Sequence, residues 1–179
     1  MKKTVRVETK EKQETKIKNL TTAGVMAALI TIFTAYVCHI PIGVNGGYVH
    51  FGDALIYLTA ALLPTPYALA AAAIGGGLAD LLTAPMWVPA TIIIKMLMVL
   101  LFTNKTKRIL TLRNVLATVP AYVITAVGYC LAEYVIFDSW STLLVSFSQN
   151  LIQSLGSAVF FIFLGLALDK AQVKTRYMI

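Results

Sequence analysis

Six long apolar stretches, separated by short polar or basic segments, constrain the fold of this chain more than any other feature. They run over about 20–38, 51–63, 67–82, 87–102, 115–137 and 142–168. A helix needs about 20 mostly apolar residues to cross the hydrocarbon core of a bilayer. Only 13% of the residues are charged, against about 25% in soluble proteins. The sequence therefore predicts an all-α integral membrane protein, a six-transmembrane-helix bundle whose short second helix is tilted or supported by the preceding loop.

Basic residues fall on alternate loops of this predicted bundle. Of the fifteen Lys and Arg residues, seven precede the first span, four lie between the fourth and fifth spans, and three lie in the tail. The loops at 39–50, 83–86 and 138–141 contain none. Because positively charged segments favour the cytoplasmic side, both termini are predicted to be cytoplasmic. The chain then divides into a basic cytoplasmic segment (1–19), a membrane domain (20–168) and a basic cytoplasmic tail (169–179).

Several polar side chains interrupt the apolar spans. Lys95, Glu133, Asn150 and Gln153 lie inside spans, and Asp53 and Asp80 lie near span ends. A charge at the bilayer centre costs about 2.5–3.5 kcal/mol on insertion scales and normally faces a cavity or a partner. Counting about 1.5 Å per residue along each helix places all of these groups in the outer half of the bundle, below the Gly-rich loop. The pattern predicts an externally open pocket for a small polar ligand.

Structural roles remain open for the four residues inside the spans. Lys95 and Glu133 could form an ion pair that only orients two helices. Asn150 and Gln153 are three positions apart and share a helix face, so they could simply bond to neighbouring helices.

The candidates at the span ends have alternatives as well. Asp53 could stabilise the dipole of the second helix, and Asp80 is expected to close the third helix rather than to bind ligand. His50 is expected to be a cap or a solvated side chain rather than a metal ligand. Trp87 and Trp140 fit an interfacial belt, and stacking of one of them on a ligand ring is the alternative.

The motifs of several other function classes are missing from the sequence. It contains no Walker A sequence, HExxH, GxSxG or acidic metal cluster, so primary pumping by this chain alone, hydrolase chemistry and metal binding are not expected. Cys38 and Cys130 lie in apolar spans without metal-ligand spacing and are interpreted as packing residues. The net charge of +7 resides outside the spans without interleaved aromatic residues, which argues against nucleic-acid binding. We therefore expect no enzyme activity and no cofactor.

The first span carries small residues at every fourth position, namely Ala23, Ala27, Thr31 and Ala35. Such a stripe lets another helix approach closely. The approaching helix could belong to the same bundle or to a separate membrane subunit, so the stripe is both a packing face and a candidate docking face.

Four stretches, taken together, resemble the substrate-binding S components of energy-coupling factor (ECF) vitamin transporters, in particular the riboflavin-type and hydroxymethylpyrimidine-type subfamily. They are Gly47-Tyr-Val-His-Phe-Gly-Asp53, Trp87-Val-Pro-Ala-Thr-Ile-Ile-Ile-Lys95, Gly128-Tyr-Cys-Leu-Ala-Glu133 and Asn150-Leu-Ile-Gln-Ser-Leu-Gly156. With the Ala23-xxx-Ala27 step of the first span, the resemblance covers roughly residues 20–168. Its order of motifs is specific for the family and leaves the substrate open.

The resemblance implies a subunit of the prokaryotic plasma membrane that captures a small vitamin or precursor from outside. The subunit docks onto a transmembrane T subunit that works with two cytoplasmic ATPases. The resemblance further implies that Asn150 contacts the ligand, with Glu133 and Lys95 as further contacts. It assigns partner docking to the face of Ala23 and Ala27, and Thr31 lies on the same stripe.

The chemistry of the candidate residues suits a nitrogen heterocycle. Lys95 can donate hydrogen bonds, Glu133 can accept them, and Asn150 and Gln153 can do both. Stacking faces could come from Tyr48, Tyr57, Trp87, Tyr129 and Trp140. The full set of predicted substrate-binding residues is Asn150, Glu133, Lys95, Gln153, Tyr48, His50, Asp53 and Trp87.

The ligand itself stays open at this point. The predicted pocket contains one acidic and one basic side chain, Glu133 and Lys95, so its net charge is near zero. Such a pocket favours a neutral or zwitterionic compound, such as hydroxymethylpyrimidine, a pyridoxine-like compound, riboflavin or a queuosine precursor. The alternative functions are a stand-alone secondary transporter, in which Lys95 and Glu133 relay protons, a membrane enzyme, or a structural subunit without a ligand.

Overall fold

The computed structural model describes residues 2–37, 39–41, 48–138 and 143–178. Its helices are α1 (Lys2–Ala35), α2 (Gly52–Leu62), α3 (Thr65–Thr83), α4 (Val88–Val99), α5 (Leu112–Leu116), α6 (Thr118–Phe137), α7 (Leu143–Lys170) and α8 (Val173–Met178). A 3₁₀ turn over Pro85–Trp87 leads into α4. The predicted all-helical fold class is confirmed.

Four segments within the described ranges are long and apolar enough to cross a membrane. They are Glu11–Ala35, Thr65–Thr83, Leu112–Phe137 and Phe147–Lys170. The apolar helices Gly52–Leu62 and Pro85–Val99 are shorter. At about 1.5 Å per residue, neither matches a hydrocarbon core of about 30 Å. A multi-pass membrane protein follows from these helices, while six crossings with both termini in the cytoplasm stay a prediction.

Proline residues set the limits of the short helices. Pro64 and Pro66 separate α2 from α3, since proline lacks the backbone N–H that a helix interior needs and suits a first turn. The last hydrogen bond of α2 runs from the N–H of Leu63 to the carbonyl of Thr59 at 2.8 Å. The break explains why the second apolar stretch forms such a short helix.

The segment between α1 and α2, predicted as a loop, contains two short strands. β1 (Ile40–Pro41) and β2 (Tyr48–Val49) pair antiparallel, with Ile40 opposite Val49. Asn45-Gly46-Gly47, the Gly-rich part of the predicted loop, lies outside the described residues, as do Cys38 and Trp140. We call the end of the bundle that carries these strands the hairpin end. The opposite end, with the segment 103–111 and α8, is the basic end.

The small-residue stripe of α1 packs inside the bundle. Ala23 and Ala27 are buried in the core, and the Thr31 hydroxyl donates to the carbonyl of Gly75 on α3 at 3.1 Å. A Cβ atom added to Gly75 would lie 2.8 Å from the carbonyl oxygen of Ala27. Close backbone approach of this kind is what small residues allow between membrane helices. The contacts with α3 show the internal packing that was one alternative for this stripe, and a docking role for it stays a prediction.

Candidate ligand site at the hairpin end

Asp53 lies in the first turn of α2 and joins three helices through its two carboxylate oxygens. Lys95 of α4 donates from Nζ to Oδ1 at 2.6 Å. Gln153 of α7 donates from Nε2 to Oδ2 at 2.9 Å. The side chains of Lys95 and Asp53 are 2% and 0% exposed, so the ion pair is shielded from solvent. We call Asp53, Lys95 and Gln153 the polar triad.

A chain of hydroxyl groups continues from the triad towards α3. The Lys95 ammonium lies 5.5 Å from the centre of the Tyr129 ring, within range of a cation–π interaction. The Tyr129 hydroxyl lies 2.8 Å from the Thr91 hydroxyl, which in turn donates to the Asp80 carboxylate. An ionised Asp80 can only accept, so the single hydroxyl hydrogen of Thr91 is donated to it. The Thr91 oxygen must then accept its other bond from the Tyr129 hydroxyl. These hydrogen bonds hold in place the Tyr129 ring that the Lys95 ammonium contacts.

His50 shapes the backbone just before α2. Its Nδ1 accepts a hydrogen bond from the backbone N–H of Gly52 at 2.9 Å. Burial lowers the pKa of His50 from 6.5 to about 4, so the imidazole is neutral at physiological pH and can act as this acceptor. Gly52 is required here, since a Cβ atom would collide with the Thr34 hydroxyl of α1. The structure thus shows the capping role expected as one alternative for His50.

Aromatic side chains border the triad. The Trp87 ring meets the Tyr129 ring edge-on with centroids 5.8 Å apart, and it is tilted against Phe137 at 6.1 Å. Trp87 is only 8% exposed, yet its indole N–H has no hydrogen-bond partner among the described residues. A buried donor without a partner is uncommon and calls for an explanation, such as a ligand or an ordered water.

Glu133, Asn150 and Tyr48 are the predicted site residues that remain to be placed. Glu133 and Asn150 are buried, and Glu133 lies one turn after Tyr129 on α6. Lys95 forms an ion pair with Asp53, and the ion pair suggested between Lys95 and Glu133 stays a prediction. The side chain of Tyr48 lies outside the described part of the chain.

Sequence reasoning missed the role of Thr91 and interpreted Asp80 only as a helix-closing residue. The available signal was spacing, because Trp87, Thr91 and Lys95 recur at every fourth position and therefore share one face of a helix. That face points into the bundle, as the burial of all three residues shows.

The assembled groups can recognise a polar, planar molecule. The ion pair contributes one negative and one positive charge, and the amides of Gln153 and Asn150 can donate and accept. The indole N–H of Trp87, which bonds to none of the described residues, can donate as well. Within the described ranges, no group of three or more His, Cys, Asp or Glu side chains could hold a metal ion. The ion pair, the amide groups and the aromatic rings suit the site to binding through charge, hydrogen bonds and aromatic contact.

Comparison with known protein families produces one match for most of the chain. The model of a family described as "ECF-type riboflavin transporter, S component" matches residues 14–170 of the 179. No curated protein matches the sequence.

Proposed function

The chain belongs to the family of ECF-type riboflavin transporter S components, whose model matches residues 14–170, and on this premise we propose a ligand, a binding site and a docking face. Membership makes it a substrate-binding subunit of a vitamin transporter and not an enzyme. The apolar helices agree with a multi-pass membrane protein, for which we propose the prokaryotic plasma membrane.

The proposed ligand is a heterocyclic vitamin or precursor, with riboflavin as the first candidate because the family carries its name. The observation that carries the proposal is the buried polar triad, which spans α2, α4 and α7 at the hairpin end. The pyrimidinedione edge of riboflavin alternates carbonyl groups with an N–H. Lys95 can donate to such a carbonyl and Asp53 can accept from such an N–H. Hydroxymethylpyrimidine, pyridoxine-like compounds and queuosine precursors carry other sets of ring donors and acceptors, to which the same side chains could bond.

Ligand entry then amounts to an exchange of hydrogen bonds. The Lys95–Asp53 pair keeps both charges compensated while the site is empty of ligand, which avoids the cost of an isolated buried charge. A donor–acceptor edge of the ligand can take over part of these bonds, and Gln153 keeps one carboxylate oxygen of Asp53 satisfied. The indole N–H of Trp87 supplies a donor for a further acceptor on the ligand.

The ligand proposal is tested by measuring riboflavin binding to the purified full-length protein through flavin fluorescence. Replacing Asn150 with Ala should weaken binding by about tenfold, which corresponds to the loss of roughly one hydrogen bond. Asn104→Ala, which removes the same side chain at the basic end, should leave the dissociation constant unchanged. An unchanged constant in Asn150→Ala would remove Asn150 from the site. If the protein bound hydroxymethylpyrimidine or pyridoxine and did not bind riboflavin, that compound would be the ligand in place of riboflavin.

The family implies assembly with a T subunit and ATPases, and we propose that α1 presents the docking face. Because Ala23 and Ala27 pack against the bundle, the open small residues of α1 are Gly24 and Ala28, one turn apart and exposed. A Cβ atom added to Gly24 would meet nothing within 4 Å. A partner helix can approach the backbone closely along such a face.

Docking is tested by co-purification with the T subunit and the two ATPases. Gly24→Leu with Ala28→Leu should abolish co-purification and leave riboflavin binding intact. Ala70→Leu, at an exposed small residue of α3, is the matched control and should retain the partners. Uptake that persists in cells without the T subunit and ATPases, and that stops when the proton gradient collapses, would instead favour a secondary transporter.

A further inference from the structure

The segment 103–111 at the basic end, which we call the basic loop, is fastened by one fully buried amide. Asn114 accepts from the N–H of Thr103 through Oδ1 at 2.9 Å. Its Nδ2 donates to the carbonyls of Thr103 and Ile109, both at 2.9 Å. The two ends of the loop are thus tied to a single side chain. Three hydrogen bonds to one buried group give the loop a defined backbone conformation.

Two charged side chains from the C-terminal part of the chain fasten the same loop from the other side. Asp169 accepts from the N–H groups of Ile109 and Leu110 at 2.7 and 2.9 Å. Lys174, which is buried, donates to the carbonyls of Ala61 at 2.6 Å and Arg108 at 3.5 Å. Both charged groups therefore form hydrogen bonds with the backbone. The carboxylate oxygens of Asp169 accept from backbone amides of the loop.

The cations at or beside the basic loop are exposed. Lys105, Lys107, Arg108 and Arg113 are all exposed. The sequence from 103 to 116 contains no Asp or Glu, and no ion pair to any of the four occurs in the part of the chain that the structure describes. Like charges repel one another when a rigid backbone holds them together. Such a cluster gains stability when an anion binds to it.

Exposed apolar residues lie directly beside these cations. Leu112 and Leu116 of α5 are 76% and 57% exposed, and Val119 and Val123 continue the same exposed stripe along α6. In a multi-pass membrane protein, an apolar stripe of this kind faces acyl chains. Arg113, between the two leucines of α5, therefore lies at the level where acyl chains meet headgroups. Cations at that depth bind lipid phosphates.

We propose that α5 and the basic loop form a binding site for the phosphate headgroup of an anionic phospholipid. Lys105, Lys107, Arg108 and Arg113 hold the phosphate, and Leu112 with Leu116 contacts the acyl chains. The continuity of the apolar stripe favours a lipid over an acidic protein or a free phosphate, since neither of these would cover the leucines at bilayer depth. The site lies at the basic end and does not depend on the proposed vitamin function.

The test uses full-length protein in nanodiscs of phosphatidylcholine with increasing fractions of phosphatidylglycerol, and native mass spectrometry counts the lipids that stay bound. The wild type should retain phosphatidylglycerol in preference to phosphatidylcholine. Lys107→Gln with Arg113→Gln should weaken this retention by on the order of twenty-fivefold, about fivefold for each cation near an anionic surface. The control, Lys12→Gln with Lys16→Gln, removes two exposed cations of α1 and should behave as the wild type.

A third variant separates a lipid from a free phosphate. Leu112→Gln with Leu116→Gln should also lower retention of phosphatidylglycerol, and millimolar inorganic phosphate should not displace the lipid from the wild type. Equal retention of both lipids by the wild type would overturn the proposal, as would equal losses in the loop variant and the α1 control. Displacement by inorganic phosphate would show a general anion site and would overturn it too.

Discussion

The Lys95–Asp53 pair gives the sharpest prediction, because its two partners are the least exposed charged groups of the candidate site. Replacing Lys95 with Met removes the ammonium and keeps a side chain of similar length. Asp53 then retains its bond from Gln153 and loses the ammonium at 2.6 Å. The side chains are 2% and 0% exposed, so water cannot compensate the remaining carboxylate. Breaking a buried pair in this way costs about 3–5 kcal/mol.

The double variant Asp53→Leu/Lys95→Met should behave very differently. It leaves no uncompensated charge, and replacing a buried ion pair by apolar groups of similar volume is often neutral or stabilising by about 1–4 kcal/mol. The double variant should therefore be more stable than Lys95→Met alone. It should nevertheless fail to bind riboflavin, since both polar contacts are gone.

The assay is reversible unfolding of the full-length protein in mixed micelles with increasing dodecyl sulfate, followed by tryptophan fluorescence. Gln153→Leu serves as an intermediate case, because it leaves one acceptor of Asp53 unsatisfied and should cost about 1–3 kcal/mol. A free energy of unfolding that changes by less than about 1 kcal/mol in Lys95→Met, well below the range for a buried pair, would refute the shielded ion pair. So would a double variant that is less stable than Lys95→Met alone.

Two further predictions concern the helix packing and the basic end. Gly75→Ala should destabilise the protein by about 1–3 kcal/mol through overpacking, since the new Cβ would lie 2.8 Å from the Ala27 carbonyl; Gly24→Ala should instead be stabilising by roughly 0.5–1 kcal/mol, because only helix propensity changes there. The pKa of Lys174 is lowered from 10.5 to about 8, mainly by burial, so the unfolded chain binds the proton more tightly and the free energy of unfolding should rise between pH 8 and 10.5. Chemical unfolding measures the free energy of unfolding of the glycine variants, and the same experiment repeated at several pH values measures the effect of Lys174. Lys174→Met should remove that pH dependence.

Much of the architecture could be predicted because its causes are local. Apolar stretches and prolines placed the helices, and the family resemblance from four short stretches is confirmed by the match over residues 14–170. The two short strands before α2 were missed, since two-residue strands have no periodicity to detect. The length of α2 was predicted closely because Pro64 and Pro66 interrupt the helix wherever it packs.

The candidate site could be predicted only as a set of residue types. Polar groups inside apolar spans marked Lys95, Gln153 and Glu133, because each is costly in a bilayer. Asp53 was named with a helix-dipole role as its alternative, and its pairing with Lys95 was not foreseen. These two residues are 42 positions apart, and no spacing rule relates side chains on different helices.

What the sequence alone determined is therefore the membrane class, the helical content and the inventory of polar groups, because hydropathy and residue chemistry act within one segment. The tertiary structure decided which partners meet. It turned the Ala23 and Ala27 stripe towards α3 and left Gly24 open, although the two faces of α1 differ by a single residue step. It also joined Lys95 to Asp53. The physical reason is that helix rotation and neighbour order follow from the packing of the whole bundle, and no single helix contains that information.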